Sequence, residues 1–170
     1  AFVSRPAADA SQVWVGAGDG SACVFDAASG QSLGSHPTGT AVYGTPILTP
    51  ETAYIPSKDG SLYAVERSTL KLKWKAVTGD AIHASPLIHE GSIYVGSLDG
   101  RLYRFDLSSG ERIWQYGILT QGAVESTPVG AGDRVIFGSG DGRVYALDAE
   151  TGGEYWRYST PDSVFASPTI

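Results

Sequence analysis

Tyr43, His83 and Glu125 stand in one frame of the chain, at intervals of 40 and 42 residues. An imidazole beside a carboxylate can pass a proton, and a phenol can hydrogen-bond a ligand. Val3 and Phe165 share that frame, so five unlike side chains occupy one column of a repeat. The flanking columns are uniform. Phe2, Val42, Ile82, Val124 and Val164 precede it and are apolar; Ser4, Gly44, Ala84, Ser126 and Ala166 follow it and are small. A repeat makes its positions alike, so a column that varies marks individual use. Alternation along a strand turns that column away from its apolar and small neighbours. Tyr43, His83 and Glu125 are therefore the candidate ligand-binding residues. The plainer reading is that these strands line a wet channel that holds nothing.

Other reactive side chains have simpler roles. Cys23 is the single cysteine, which rules out an intrachain disulfide. It replaces an aromatic in the register of Tyr63, Tyr103 and Tyr145, which predicts a buried structural thiol. His36, His83 and His89 have no metal-ligand spacing with one another or with Cys23, so no metal site is expected. His36 in Gly-Ser-His-Pro and His89 before Gly91 read as solvated loop residues. Lys71, Lys73 and Lys75 alternate on one stretch, where a charged outer edge would discourage pairing with other chains.

The aspartates that could pass for metal ligands repeat too strictly for that. Asp-Gly occurs at Asp19-Gly20, Asp59-Gly60, Asp99-Gly100 and Asp141-Gly142, at spacings of 40, 40 and 42. An aspartate in every hairpin serves the turn, and Asp-Gly predicts a type I′ turn with positive φ at both central residues. Asp26, Asp106 and Asp148 do the same at a second turn.

The elements that carry these residues follow from the repeat. Pro6, Pro46, Pro86, Pro128 and Pro168 keep the same frame, and Trp74, Trp114 and Trp156 each follow an Asp-Gly aspartate by 15 residues. Each unit reads as four short strands rich in β-branched and aromatic residues, with no helical period. In the third unit these are 82–88, 92–96, 102–106 and a strand around 113–116. The fold class is all-β, a β-propeller of four-stranded antiparallel blades. Blades are expected at about 1–36, 42–77, 82–118 and 124–160, with 164–170 repeating the innermost strand of a further blade. One blade cannot bury both its faces, so blades must stack.

The segment Ala146-Leu147-Asp148-Ala149-Glu150-Thr151-Gly152-Gly153-Glu154-Tyr155-Trp156 resembles the tryptophan-docking motif of PQQ-like (quinoprotein-type) propellers. Asp106, Ser109, Gly110 and Trp114 match it in the third unit. Glu66, Thr69 and Trp74 match in the second, where Leu70 replaces the glycine. Asp26, Ser29 and Gly30 match in the first, where Gly34 stands in place of the tryptophan. The resemblance implies that the tryptophan packs between adjacent blades and that rings contain about six to eight of them. Gly34 puts the first docking contact in doubt and predicts that blade one is the loosest.

The resemblance also implies alternatives. Its enzymatic branch holds pyrroloquinoline quinone and calcium over the axis, with Glu and Asn ligands, an Asp base and a pair of adjacent cysteines. This chain has no Asn, and Glu125 is the only carboxylate in the axial column. The favoured expectation is a non-catalytic scaffold or ligand-sensing module without a cofactor. The alternatives are a fragment of a quinone-dependent dehydrogenase and a half-ring that self-assembles as a homo-oligomer.

Composition narrows the partners. Of 170 residues 42% are hydrophobic and 18% charged, which is globular. A formal net charge of −6 argues against a nucleic-acid surface. No apolar run is long enough to span a bilayer, and no signal stretch is present. The absence of Met and the opening within a strand pattern read as a processed product, an excised domain or part of something longer, most simply a segment of a larger ring. The expected partners are another protein or further blades. The resemblance points weakly to a periplasmic or extracellular setting.

Overall fold

The computed structural model describes residues 1–117 and 122–169. The expected end of blade three at 118 and the last residue of the 164–170 repeat lie outside the described residues. The strands form four antiparallel sheets of four, each in sequence order. Sheet one contains β1 Ala7–Ala8, β2 Gln12–Gly16, β3 Ser21–Asp26 and β4 Ser32–Pro37. Sheet two contains β5 Ile47–Leu48, β6 Thr52–Pro56, β7 Ser61–Glu66 and β8 Leu72–Val77. Sheet three contains β9 Leu87–His89, β10 Ser92–Gly96, β11 Arg101–Asp106 and β12 Arg112–Gly117. Sheet four contains β13 Val129–Ala131, β14 Arg134–Ser139, β15 Arg143–Asp148 and β16 Glu154–Ser159. The all-β propeller architecture is thus present as four successive blades.

The core lies between blades. Tyr54, Leu62 and Ala64 of blade two pack on Ile93, Val95, Tyr103 and Phe105 of blade three. Trp14, Ala22 and Val24 do the same against Ala53, Ile55 and Val65 at the first joint. Tyr94 and Leu102 meet Val135, Phe137, Tyr145 and Leu147 at the third. The two middle strands of blades two and three, which have a neighbour on each side, bury both faces, which explains their near-continuous apolar run. Among the described residues no such cluster joins blade four to blade one.

The hairpins differ from the type I′ expectation. Gly20, Gly60, Gly100 and Gly142 have positive φ, whereas the aspartates before them do not. Gly60 N–H donates to Ser57 O at 3.2 Å and Ser57 N–H to Ser61 O at 2.9 Å, which is a type I turn followed by a left-handed glycine. The aspartate stays in ordinary backbone space because its carboxylate serves the turn. Asp59 Oδ1 accepts from Ser61 N–H at 2.9 Å, and Asp99 Oδ1 from Arg101 N–H at 3.0 Å.

The innermost strands are shorter than expected. Of the expected 82–88 strand only 87 and 88 pair with the neighbour in blade three, and the ladder runs on to His89. The stretch before it crosses between blades: Ile82 N–H donates to Ser57 O of blade two, while Ala81 O accepts from Leu98 N–H of blade three. Residues 164–169 form no ladder, but they follow the same route. Val164 N–H donates to Ser139 O at 3.0 Å, as Val124 N–H does to Ser97 O.

Two histidine expectations are corrected. His36 lies on β4 and is buried, with Nδ1 3.0 Å from Leu70 O and its ring edge-on to Tyr63. His89 ends β9 and bridges the third joint through Nε2 to Gly132 O at 2.7 Å. Cys23 is half-buried rather than buried, because β3 alternates and Cys23 shares the blade-one face turned away from blade two. Partial burial pushes its thiol pKa up.

Candidate functional site

The axial wall is built by the stretches that cross from blade to blade before each innermost strand. Their apolar residue is driven inward: Val42, Ile82 and Val124 are fully buried. The next residue therefore points away, towards the axis. Tyr43, His83 and Glu125 are brought together there. The Tyr43 and His83 rings meet edge to face with centroids 5.2 Å apart. His83 Nδ1 lies 3.4 Å from Glu125 Oε2. His83 Nε2 is enclosed and has no hydrogen-bond partner among the described residues. Lys58, from the hairpin of blade two, places Nζ 5.7 Å from the Tyr43 ring centroid.

Below this tier lies a second one that the sequence reading missed. A cavity of about 360 Å³ is lined by Arg5, Thr45, Ser85, Thr127 and Ser167 as well as by Tyr43, His83 and Glu125. The second set stands two residues on from the varied column, so alternation alone could have found it. Two of its hydroxyls stitch neighbouring crossings. Thr45 N–H donates to Ser85 Oγ at 2.8 Å, and Thr127 N–H to Ser167 Oγ at 2.9 Å. Val3 also lines the cavity, whereas Phe165 stands exposed outside the lining. The wall thus offers a guanidinium, an imidazole, a carboxylate and hydroxyls around an aromatic edge.

This donor set does not fit calcium. The ion takes six to eight oxygen ligands. Among the described residues Glu125 is the only carboxylate lining the wall, and an imidazole nitrogen lies 3.4 Å from it. Among the described residues no group of three His, Cys, Asp or Glu side chains could hold a metal.

The motif tryptophans of blades two and three face the joints. Trp74 covers Gly110 of blade three, where an added Cβ would lie 2.5 Å from the indole. Trp114 covers Gly152 of blade four in the same way and donates Nε1–H to Glu150 O at 3.1 Å. Trp156 faces away from blade three and is 41% exposed. At the first joint Gly34 meets Leu70, so the docking contact expected to be missing is made by a leucine instead.

Further joint ties were not foreseen. Tyr54 and Tyr94 each donate O–H to a carbonyl of the next blade's second turn, Leu107 O and Ala149 O. At the first joint Gln12 Nε2–H donates to Arg67 O in the same frame. The Asp-Gly aspartates accept from the tyrosine four residues on: Tyr63 O–H to Asp59 and Tyr145 O–H to Asp141 at 2.6 Å, and Tyr103 O–H to Asp99. The hydroxyls of Tyr63 and Tyr103 also accept from Gly39 and Gly79 N–H of the preceding crossing.

At the second turn Asp106 accepts from Ser108 and Ser109, and the Ser108 hydroxyl and Ser109 N–H lower its pKa to about 2. Lys73 and Lys75 are engaged within their blade, with Thr52 Oγ1 and with Asp59.

Comparison with known proteins agrees with this geometry. The family described as outer membrane protein assembly factor BamB matches residues 1–76 and 119–170. No curated protein matches the sequence. The crystal structure of BamB from Moraxella catarrhalis superposes with a TM-score of 0.86 at 16% identity, over 98% of this chain and 52% of that one. The chain therefore spans about half the length of that relative. No helix among the described residues is long and apolar enough to cross a membrane.

Proposed function

This chain belongs to the family of the outer membrane protein assembly factor BamB, and from that premise we propose that it is a non-catalytic scaffold holding a protein segment at its axial wall. The observation that carries this reading is the Tyr43–His83–Glu125 cluster. A fold that repeats its other columns brings three unlike side chains into contact at one place. The arrangement suits a backbone better than a cofactor. Arg5 and the hydroxyls donate, Glu125 accepts, and Tyr43 supplies an apolar edge, which matches the alternating needs of an extended peptide. The family description, an outer membrane protein assembly factor, supports a setting outside the cytoplasm, where client strands would alternate apolar and polar residues.

The test uses a labelled ten-residue peptide of that alternating pattern, an order-of-magnitude strand length for such clients. Its fluorescence anisotropy should rise on titration with the chain. Pyrroloquinoline quinone with calcium should leave both the anisotropy and the melting temperature unchanged. A melting shift with the quinone and none with the peptide would replace the scaffold reading with the oxidoreductase one.

A further inference from the structure

We propose that His83 makes the axial wall release its bound segment in acid. The inference rests on the scaffold reading above and adds the regulation of that same site.

The imidazole is held on two sides. Glu125, from the crossing into blade four, stands with Oε2 3.4 Å from Nδ1. Tyr43, from the crossing into blade two, meets the ring edge to face at 5.2 Å. Nε2 is enclosed and has no hydrogen-bond partner among the described residues. A neutral imidazole carries one N–H, and a carboxylate only accepts. The Glu125 contact therefore draws that hydrogen to Nδ1 and leaves a lone pair on Nε2. The neutral ring buries no unpaired donor.

Protonation changes both nitrogens. The second hydrogen goes on Nε2, where no acceptor stands, and a buried N–H without a partner is destabilising. The new charge has one place to settle. Glu125 is the only carboxylate lining the cavity among the described residues, whereas Arg5 lines it as well and Lys58 Nζ lies 5.7 Å from the Tyr43 centroid. The nearest hairpin carboxylates are engaged elsewhere, Asp59 with Tyr63 and Lys75, and Asp99 with Tyr103 and Arg101.

An imidazolium thus closes on Glu125 and takes up the acceptor that the wall offers to a peptide N–H. Its Nε2–H finds an acceptor only if the ring turns off the edge of Tyr43. Either movement removes a contact from the segment. The occupied wall therefore binds fewer protons than the empty one, and affinity falls as pH falls. The other two histidines lie off the wall, with His36 on Leu70 O and His89 on Gly132 O.

The test uses the alternating peptide with serine and threonine as its polar residues and with both ends blocked, so that it carries no titrating group. Its dissociation constant is read by anisotropy at about pH 7.5 and about pH 5.5, within the range where histidine ordinarily changes charge. One proton can change affinity by at most about tenfold per pH unit, and the wild-type constant should rise at least about fivefold over this interval. His83→Gln should bind more weakly and equally at both values. The ring signals of His83 in NMR spectra should move over the same interval in which affinity falls. Melting curves at both values should show a folded chain, since the Asp106 carboxyl titrates below them, towards about 2. Wild-type binding that does not change with pH would overturn the proposal and leave the scaffold reading standing. So would a change that persists in His83→Gln, or His83 signals that stay fixed while affinity falls. An absence of binding at either pH would overturn both readings.

Discussion

Gly34 and Leu70 face each other across the joint between blades one and two, where an added Cβ at Gly34 would lie 2.8 Å from Leu70 Cδ1. At the next two joints the partners in these frames are Trp74 with Gly110 and Trp114 with Gly152. The large and small members have changed sides. Leu70 accepts a left-handed backbone, φ 58°, to do so, where Gly110 and Gly152 sit at 74°.

Replacing Leu70 by glycine should therefore have opposing effects. Releasing a non-glycine residue from that region returns roughly 1 kcal/mol. Losing the packed side chain costs about 2–5 kcal/mol. Leu70→Gly is expected to destabilise the chain by about 1–4 kcal/mol in urea denaturation. A gain in stability would mean that Leu70 fills no space at the joint.

The docking tryptophans should differ although their motif is shared. Trp114 is sandwiched and hydrogen-bonded to Glu150 O, whereas Trp156 is open on one side. Trp114→Ala should cost about 3 kcal/mol. Trp156→Ala should cost less than about 1 kcal/mol in the isolated chain. Equal losses in denaturant melts would contradict the observed joints.

Arg67 is a buried cation at the first joint, paired with Asp9 and donating to Gln12 Oε1 and Thr49 O. Gln12 in turn accepts from Trp14 Nε1–H. Removing the guanidinium strands several of these groups at once. Arg67→Ala should destabilise by about 2–4 kcal/mol. Arg67→Lys should recover little of that, since an ammonium cannot reproduce the fork. Thermal melts of the pair would decide it.

Acid should weaken the fold through its second turns. Asp26, Asp106 and Asp148 all have lowered pKa values, from hydroxyl and backbone hydrogen bonds to the following turn residues. A carboxyl with a folded pKa below its unfolded value stabilises above the unfolded value. That stabilisation is lost as pH falls through the folded one. For Asp106 the window runs from 3.8 down to about 2. Unfolding free energy should decline across it, and Asp106→Asn should flatten the decline. An unchanged slope in the variant would show that these turns do not carry the acid response.

Much of this architecture was legible because the blade repeats. Asp-Gly, the prolines and the tryptophans gave the period, and the period gave the sheets. The varied column at Tyr43, His83 and Glu125 was readable for the same reason. Departures across a joint were harder. Gly34 and Leu70 were each visible as an exception, but their pairing depends on which blade a tryptophan docks against. The hairpin type was ambiguous because Asp-Gly serves both a type I′ turn and a type I turn with a left-handed glycine, and only the φ of the aspartate separates them. His36 looked like a loop residue between Gly34 and Pro37. Yet an outermost strand tolerates both neighbours, since its free edge needs no N–H from proline.

The central claim is that the axial cluster recognises a protein segment without contributing to the fold. The most direct measurement is the dissociation constant of the alternating peptide for the wild-type chain, Tyr43→Ala, His83→Gln and Glu125→Gln, each paired with a thermal melt. The account predicts binding weakened at least about tenfold in each variant, about 1.4 kcal/mol, with melting temperatures near the wild type. Wild-type affinity in all three variants, or losses of affinity that merely track losses of stability, would contradict it.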